Sequence, residues 1–153
     1  RVAGGACHGH YAPADVLLRS RFALCLRGDI PTSARPYDAI RYGSIPLLVS
    51  DNIWRTGLPF QCWVPWALLV AQISEASFQR DAAAALRNAM RLPHAAEARM
   101  RELIAHFGRD VLWRHPQSRV AENVLLAARR WQLRRRGEAA CCPIEDAVSD
   151  ILS

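Results

Sequence analysis

The sequence predicts a three-layer α/β domain with a mainly parallel sheet, and three observations point to it. Apolar runs of strand length recur as "FALCL" at 22–26, "IPLLVS" at 45–50 and "ALLVAQ" at 67–72. Continuous apolar runs, rather than alternating ones, are the pattern of strands covered on both faces by helices. Helix-spaced segments separate the first two runs and follow the third, and strands alternating with helices pack as a parallel sheet.

The elements follow in order. Residues 1–12 hold Gly4, Gly5 and Gly9 and read as loop. "PADVLLRS" at 13–20 fits a short helix with proline in its first turn. The run at 22–26 is read as a strand buried on both faces. A helix is expected over 33–42, with Tyr37 and Ile40 on one face, Ser33 as its N-cap and Gly43 as its stop. The second strand, 45–50, tolerates Pro46 near its start, and a Trp- and Pro-rich connection leads to the third at 67–72. The rest is helical. Phe78, Ala82, Ala85, Leu86 and Ala89 share one face, and Met100, Leu103, Ile104, Phe107 and Val111 share another. A further helix over 117–136 should turn Val120, Val124, Ala127, Ala128 and Trp131 inward, and an amphipathic stretch closes the chain at 144–152.

Composition bounds the function classes. The 153 residues carry a net charge of +6, all of the positive charge being arginine. That balance suits a polyanion, a nucleotide diphosphate or an acidic glycan, although the absence of lysine also fits a GC-rich genome. The five cysteines, Cys7, Cys25, Cys62, Cys141 and Cys142, show neither metal spacing nor a disulfide framework. No apolar run reaches the length of a membrane span. The chain opens at Arg1 without a methionine, and three strands make a thin sheet, so part of a larger object is expected.

The stretch "GDIPTSARPYDAIRYGSIPLLVSD" at 28–51 carries the strongest chemical signal. Parallel sheets bind ligands beyond the carboxyl ends of their strands. Arg27 and Gly28 close the first strand there, and glycine lets backbone approach a ligand. A helix opened by Ser33 would point unpaired N–H groups at an anion. Arg27 and Arg35 could fork onto phosphate oxygens, and Asp38 could accept hydrogen bonds from a ribose diol. An ordinary surface pairing of Arg35 with Asp38 is the plainer alternative.

The residue order of "SRFALCLRGDIPTSARPYDAIRYGSIPLLVSD" resembles the C-terminal segment of the exostosin family of glycosyltransferases. The shared pattern is Ser-Lys/Arg-Phe, an apolar strand with Cys, a glycine loop, Ser-x-Arg-x-x-acid-Ala-Ile, Gly-x-x-Pro and an apolar strand ending on Asp. Weaker likeness continues through "LPF" at 58–60 and the His-Phe…Trp stretch at 106–113, so the resemblance spans about 11–116. It implies a Rossmann-like fold, the donor-binding C-terminal half of a GT-B glycosyltransferase, followed by a helical tail over 117–153. It further implies that Arg27, Gly28, Ser33 and Arg35 take the diphosphate of a UDP-sugar and that the acid takes the ribose. That acid is usually Glu in the family and is Asp38 here, and the Cys common after the helix-ending glycine is Ser44 here.

The implied reaction is displacement at the anomeric carbon by a glycan hydroxyl, with UDP leaving and the base supplied by an N-terminal domain absent from this chain. The implied setting is the Golgi lumen, in a membrane-anchored parent protein. No D-x-D occurs, so the phosphate site is expected to work without a metal and the protein without a cofactor.

Remaining features read more plainly. "CHGH" at 7–10 is a weak zinc signal, and His106 and His115 read as packing and turn residues. The "RRWQLRRR" helix at 129–136 reads as a solvated face rather than a nucleic-acid interface. Trp54, Trp63 and Trp66 are expected to close the bottom of the core. A non-catalytic nucleotide- or glycan-binding module is the first alternative to an enzyme, and an arginine-rich nucleic-acid binder built around the C-terminal helix is the second.

Overall fold

The structure is a computed structural model and describes residues 13–29 and 33–137. The "CHGH" motif, Cys141, Cys142 and the 144–152 stretch lie outside the described residues.

Helix α1, Pro13–Arg19, leads into strand β1, Phe22–Leu26. Helix α2, Arg35–Arg41, crosses to β2, Ile45–Val49. Two short helices, α3 (Ile53–Thr56) and α4 (Trp66–Leu69), precede β3, Ala71–Ile73. Four helices follow: α5 (Glu75–Arg80), α6 (Ala82–Ala89), α7 (His94–Val111) and α8 (Val120–Arg135). The sheet is parallel throughout, in the order β1-β2-β3, with Leu24 beside Leu47 and Leu47 beside Ala71.

Helices cover both faces of the sheet. On one side Ile45 and Leu48 pack with Ile40 of α2, Leu69 of α4, and Leu103, Ile104 and Phe107 of α7. On the other, Leu47, Val49 and Ile73 meet Phe78, Ala85, Leu86 and Ala89 of α5 and α6. The central strand β2 is buried along its whole length, as its unbroken apolar run predicts.

β1 departs from its expected burial. α5 and α6 cover β2 and β3 only, so Leu24 and Leu26, which share a face with Leu47 and Val49, stand 40% and 36% exposed. β3 is also shorter than expected. The apolar residues before it coil into α4, which buries Trp66 and Leu69 and leaves three residues to pair.

The turn from α2 into β2 follows from Gly43. Its φ of 73° is a left-handed conformation that glycine adopts without Cβ strain. Ser44 N–H then donates to the Ala39 carbonyl at 3.0 Å and Gly43 N–H to that of Ile40 at 3.2 Å, closing the helix with paired bonds. The single helix expected around residue 80 is broken at Asp81. Its carboxylate accepts from Ala84 N–H at 2.9 Å and caps α6, while the Ser74 hydroxyl caps α5 through Ser77 N–H.

The tryptophan connection is part of the core. Trp66 is buried, donates to the Pro59 carbonyl at 2.7 Å, and meets Tyr37 edge-on at 6.0 Å. Trp54 is half buried and donates to Gln72 Oε1 at 2.8 Å. Cys62 is disulfide-bonded, whereas the sequence alone gave no sign of a disulfide.

α8 sits on a different face from the expected one. Val120 and Asn123 are buried, whereas Val124 and Trp131 are 46% and 60% exposed. The cause is polar: Asn123 Nδ2 donates to the carbonyl and to Oδ1 of Asp110, at 3.1 and 3.2 Å, and draws that face toward α7. Arg135 lies 4.9 Å over the Trp131 ring on the solvent side. Among the described residues no helix is long and apolar enough to cross a membrane.

Candidate functional site

The carboxyl ends of the three strands converge on a polar network. Arg27 follows β1, Asp51 follows β2, and Glu75 follows β3 at the start of α5. Arg27 N–H donates to the Val49 carbonyl at 3.0 Å, which fixes the chain as it leaves the sheet. Its guanidinium Nη1 lies 3.3 Å from Glu75 Oε2. Glu75 Oε1 also accepts from Asp51 N–H at 3.0 Å, and Glu75 N–H donates back to the Asp51 carboxylate at 3.2 and 3.3 Å. The Glu75 carboxylate therefore sits between a guanidinium and a backbone donor, a position that an anionic ligand group would also favour. Glu75 carries no sequence signal of its own, since its partners lie 24 and 48 residues away.

Gly28 is exposed and has no left-handed backbone, and among the described residues a Cβ there would meet nothing within 4 Å. The packing of the chain does not require glycine at this position.

Ser33 lies one residue farther from the helix than expected. The N-cap is Ala34, with no side-chain cap, and Ser33 Oγ accepts from Arg35 N–H at 3.2 Å. Pro36 has no N–H, and Tyr37 and Asp38 both donate to the Ala34 carbonyl at 3.1 Å. The start of this seven-residue helix therefore holds few unpaired donors for an anion. The free chemistry there belongs to side chains: the Ser33 hydroxyl proton and the Arg35 guanidinium.

Arg35 and Asp38 come together, but not as a surface ion pair. Both line a depression of about 440 Å³ along the open edge of β1, with Leu24 and Cys25 on its strand side. Arg35 and Asp38 make no salt bridge with each other, and Arg35 has no ion-pair partner among the described residues. Cys25 is 3% exposed, and burial pushes its thiol up to about 12, with the Arg35 charge opposing that rise and the Asp38 charge adding to it. Its Sγ–H donates to the Ala23 carbonyl at 3.3 Å. Asp38 also borders a second depression of about 270 Å³ with Tyr37, Trp113 and His115. Trp113 is 68% exposed, an aromatic face held open to solvent beside a carboxylate. His115 is a turn residue, accepting from Gln117 N–H through Nδ1 at 3.1 Å.

The sequence-predicted site thus divides in two. Ser33, Arg35 and Asp38 gather at the start of α2, and Arg27 turns toward Glu75. Among the described residues no three His, Cys, Asp or Glu side chains gather as a metal would need.

Arginine, serine and a carboxylate thus stand around the first crossover of a parallel α/β sheet, at the strand ends where folds of this class receive ligands. The sequence profile of the Exostosin GT47 domain matches residues 3–90, more than half of the chain, and the chain belongs to the exostosin family of glycosyltransferases. No curated protein and no solved structure gives a significant match.

Proposed function

We propose that this chain binds the nucleoside diphosphate of a UDP-linked sugar and serves as the donor-binding part of a glycosyltransferase acting on a glycan hydroxyl. The observation that carries this reading is the meeting of Arg35 and Asp38 at one depression beside Ser33, in a chain of the exostosin family. Arg35 forks onto phosphate oxygens, Ser33 donates its hydroxyl proton to them, and Asp38 accepts from the ribose diol. Arg27 joins by exchanging Glu75 for phosphate, and Gly28 lets the backbone approach the same group.

In the transfer, the bond from the anomeric carbon to the UDP oxygen breaks while the acceptor oxygen forms its bond to that carbon. The acceptor proton passes to a base on another domain. Charge grows on the leaving diphosphate, and fixed guanidinium groups stabilise it without a metal. The 153 residues alone are expected to transfer no sugar. The disulfide at Cys62 suits an oxidising compartment, in keeping with a Golgi-lumenal parent protein.

Calorimetric titration of UDP, GDP and ADP in EDTA tests the reading. Saturable binding of UDP, tighter than that of the purine nucleotides, is expected. No saturation by any of them, or binding that appears only with Mn²⁺, would overturn it.

A further inference from the structure

Two buried nitrogen donors without hydrogen-bond partners border the same cavity. Among the described residues, Trp63 Nε1 and Arg109 Nε are both buried and unpaired. The Asp110 carboxylate is the nearest ionic partner of Arg109, at 3.9 Å from Nε, too far for a hydrogen bond. Leaving such donors unmet costs free energy, so each is satisfied when an acceptor enters. Both line a cavity of about 470 Å³ between the tryptophan connection, the C-terminal half of α7 and α8.

The walls of that cavity are cationic. Arg109, Arg119 and Arg129 line it with one carboxylate, Asp110, which Asn123 and Arg119 already engage at 3.2 and 3.7 Å, and Arg119 also pairs with Glu122 at 3.3 Å. Beside His106 and Arg130, Phe107, Leu126 and Leu133 give the cavity an apolar wall. Trp63 is held in place by stacking on Phe60 at 5.7 Å between ring centres. A space with orphan donors, surplus guanidinium groups and an apolar wall matches an anion carried on a ring, and its size is that of a small-molecule site.

We infer that this cavity binds a small ring compound bearing an oxyanion, with the oxyanion met by Arg109 and Arg129 and the ring by the apolar wall. It shares no residue with the site at Arg27, Gly28, Ser33, Arg35 and Asp38, and apart from Trp63 its lining lies outside the family match at 3–90.

The test follows the indole N–H of Trp63 by ¹⁵N NMR in the 153-residue chain, its signal assigned by its loss in Trp63→Phe. Phenyl phosphate should shift that signal saturably and phenol should not. Arg129→Ala, at an exposed position outside the core, should weaken the response about tenfold, the scale of one lost charge-assisted bond. Arg35→Ala should leave it unchanged. Inorganic phosphate should saturate the same signal more weakly, and equal affinity would overturn the assignment of the ring. No saturable shift with either phosphate, an equal response to phenol, or an unaltered response in Arg129→Ala would overturn the site.

Discussion

Arg27 and Glu75 meet across the carboxyl ends of β1 and β3, with Nη1 3.3 Å from Oε2, although 48 residues separate them in the chain. Glu75 thereby holds the arginine at the place where a parallel sheet receives its ligand. If Arg27 serves phosphate, the two anions compete for it.

Glu75→Gln should therefore tighten UDP binding. The amide oxygen can still accept from Asp51 N–H, so the turn is kept, while the negative charge beside the phosphate is lost. The pair is partly exposed, and the gain should be up to about fivefold, or ~1 kcal/mol. Unchanged or weaker binding at an unchanged melting temperature would remove Arg27 from the phosphate site.

Gly28→Ala separates a ligand requirement from a folding one. The backbone there suits any residue and a Cβ meets no atom of the described residues, so stability should hold or rise by up to about 1 kcal/mol. UDP affinity should fall, because the added methyl stands where the backbone approaches phosphate. If melting and affinity both stay constant, Gly28 lies away from the ligand.

The acid sensitivity of the fold should depend on Glu97. Arg21 grips its carboxylate with two donors, Nε to Oε2 at 3.1 Å and Nη2 to Oε1, tying α7 to the start of β1. Those hydrogen bonds hold Glu97 below the ordinary carboxylate value against its burial, and the charges of Arg21, His94 and Arg101 add to them. A carboxylate whose folded value is depressed gives stability that is complete above its unfolded value, about pH 4–5. That stability is lost as pH falls through the depressed folded value. Urea midpoints at pH 7 and pH 3 should therefore fall further in the native chain than in Glu97→Gln. Equal losses would show that the pair contributes nothing to the pH dependence.

What could be read from the sequence was what local chemistry decides. β2 announced itself by an unbroken apolar run, and the turn into it by Gly43, because only a left-handed residue closes α2 that way. The exposure of Leu24 and Leu26 could not be read, since it depends on how far α5 and α6 reach across the sheet. The facing of α8 turned on a buried Asn123–Asp110 contact that hydrophobic periodicity ignores. Within the site, Arg35 and Asp38 were legible as chemistry-bearing types near a strand end. Glu75 was not, because its role comes from sheet geometry that brings β3 beside β2. Ser33 was placed one residue off its structural role, since Pro36 and the Ala34 carbonyl set the helix start without a side-chain cap.

The central claim, that α2 presents a diphosphate and ribose site, is tested most directly by calorimetric titration of UDP and uridine against Arg35→Ala and Asp38→Ala. Arg35→Ala should weaken UDP by about 1.5–3 kcal/mol, the worth of a lost charge-assisted bond, and hardly affect uridine. Asp38→Ala should weaken both, because both carry the ribose diol, and Asp38→Glu should preserve or tighten them. With melting curves matched to the native chain, equal affinities for both ligands in all of these proteins would contradict the account and leave residues 28–51 an ordinary crossover between two strands.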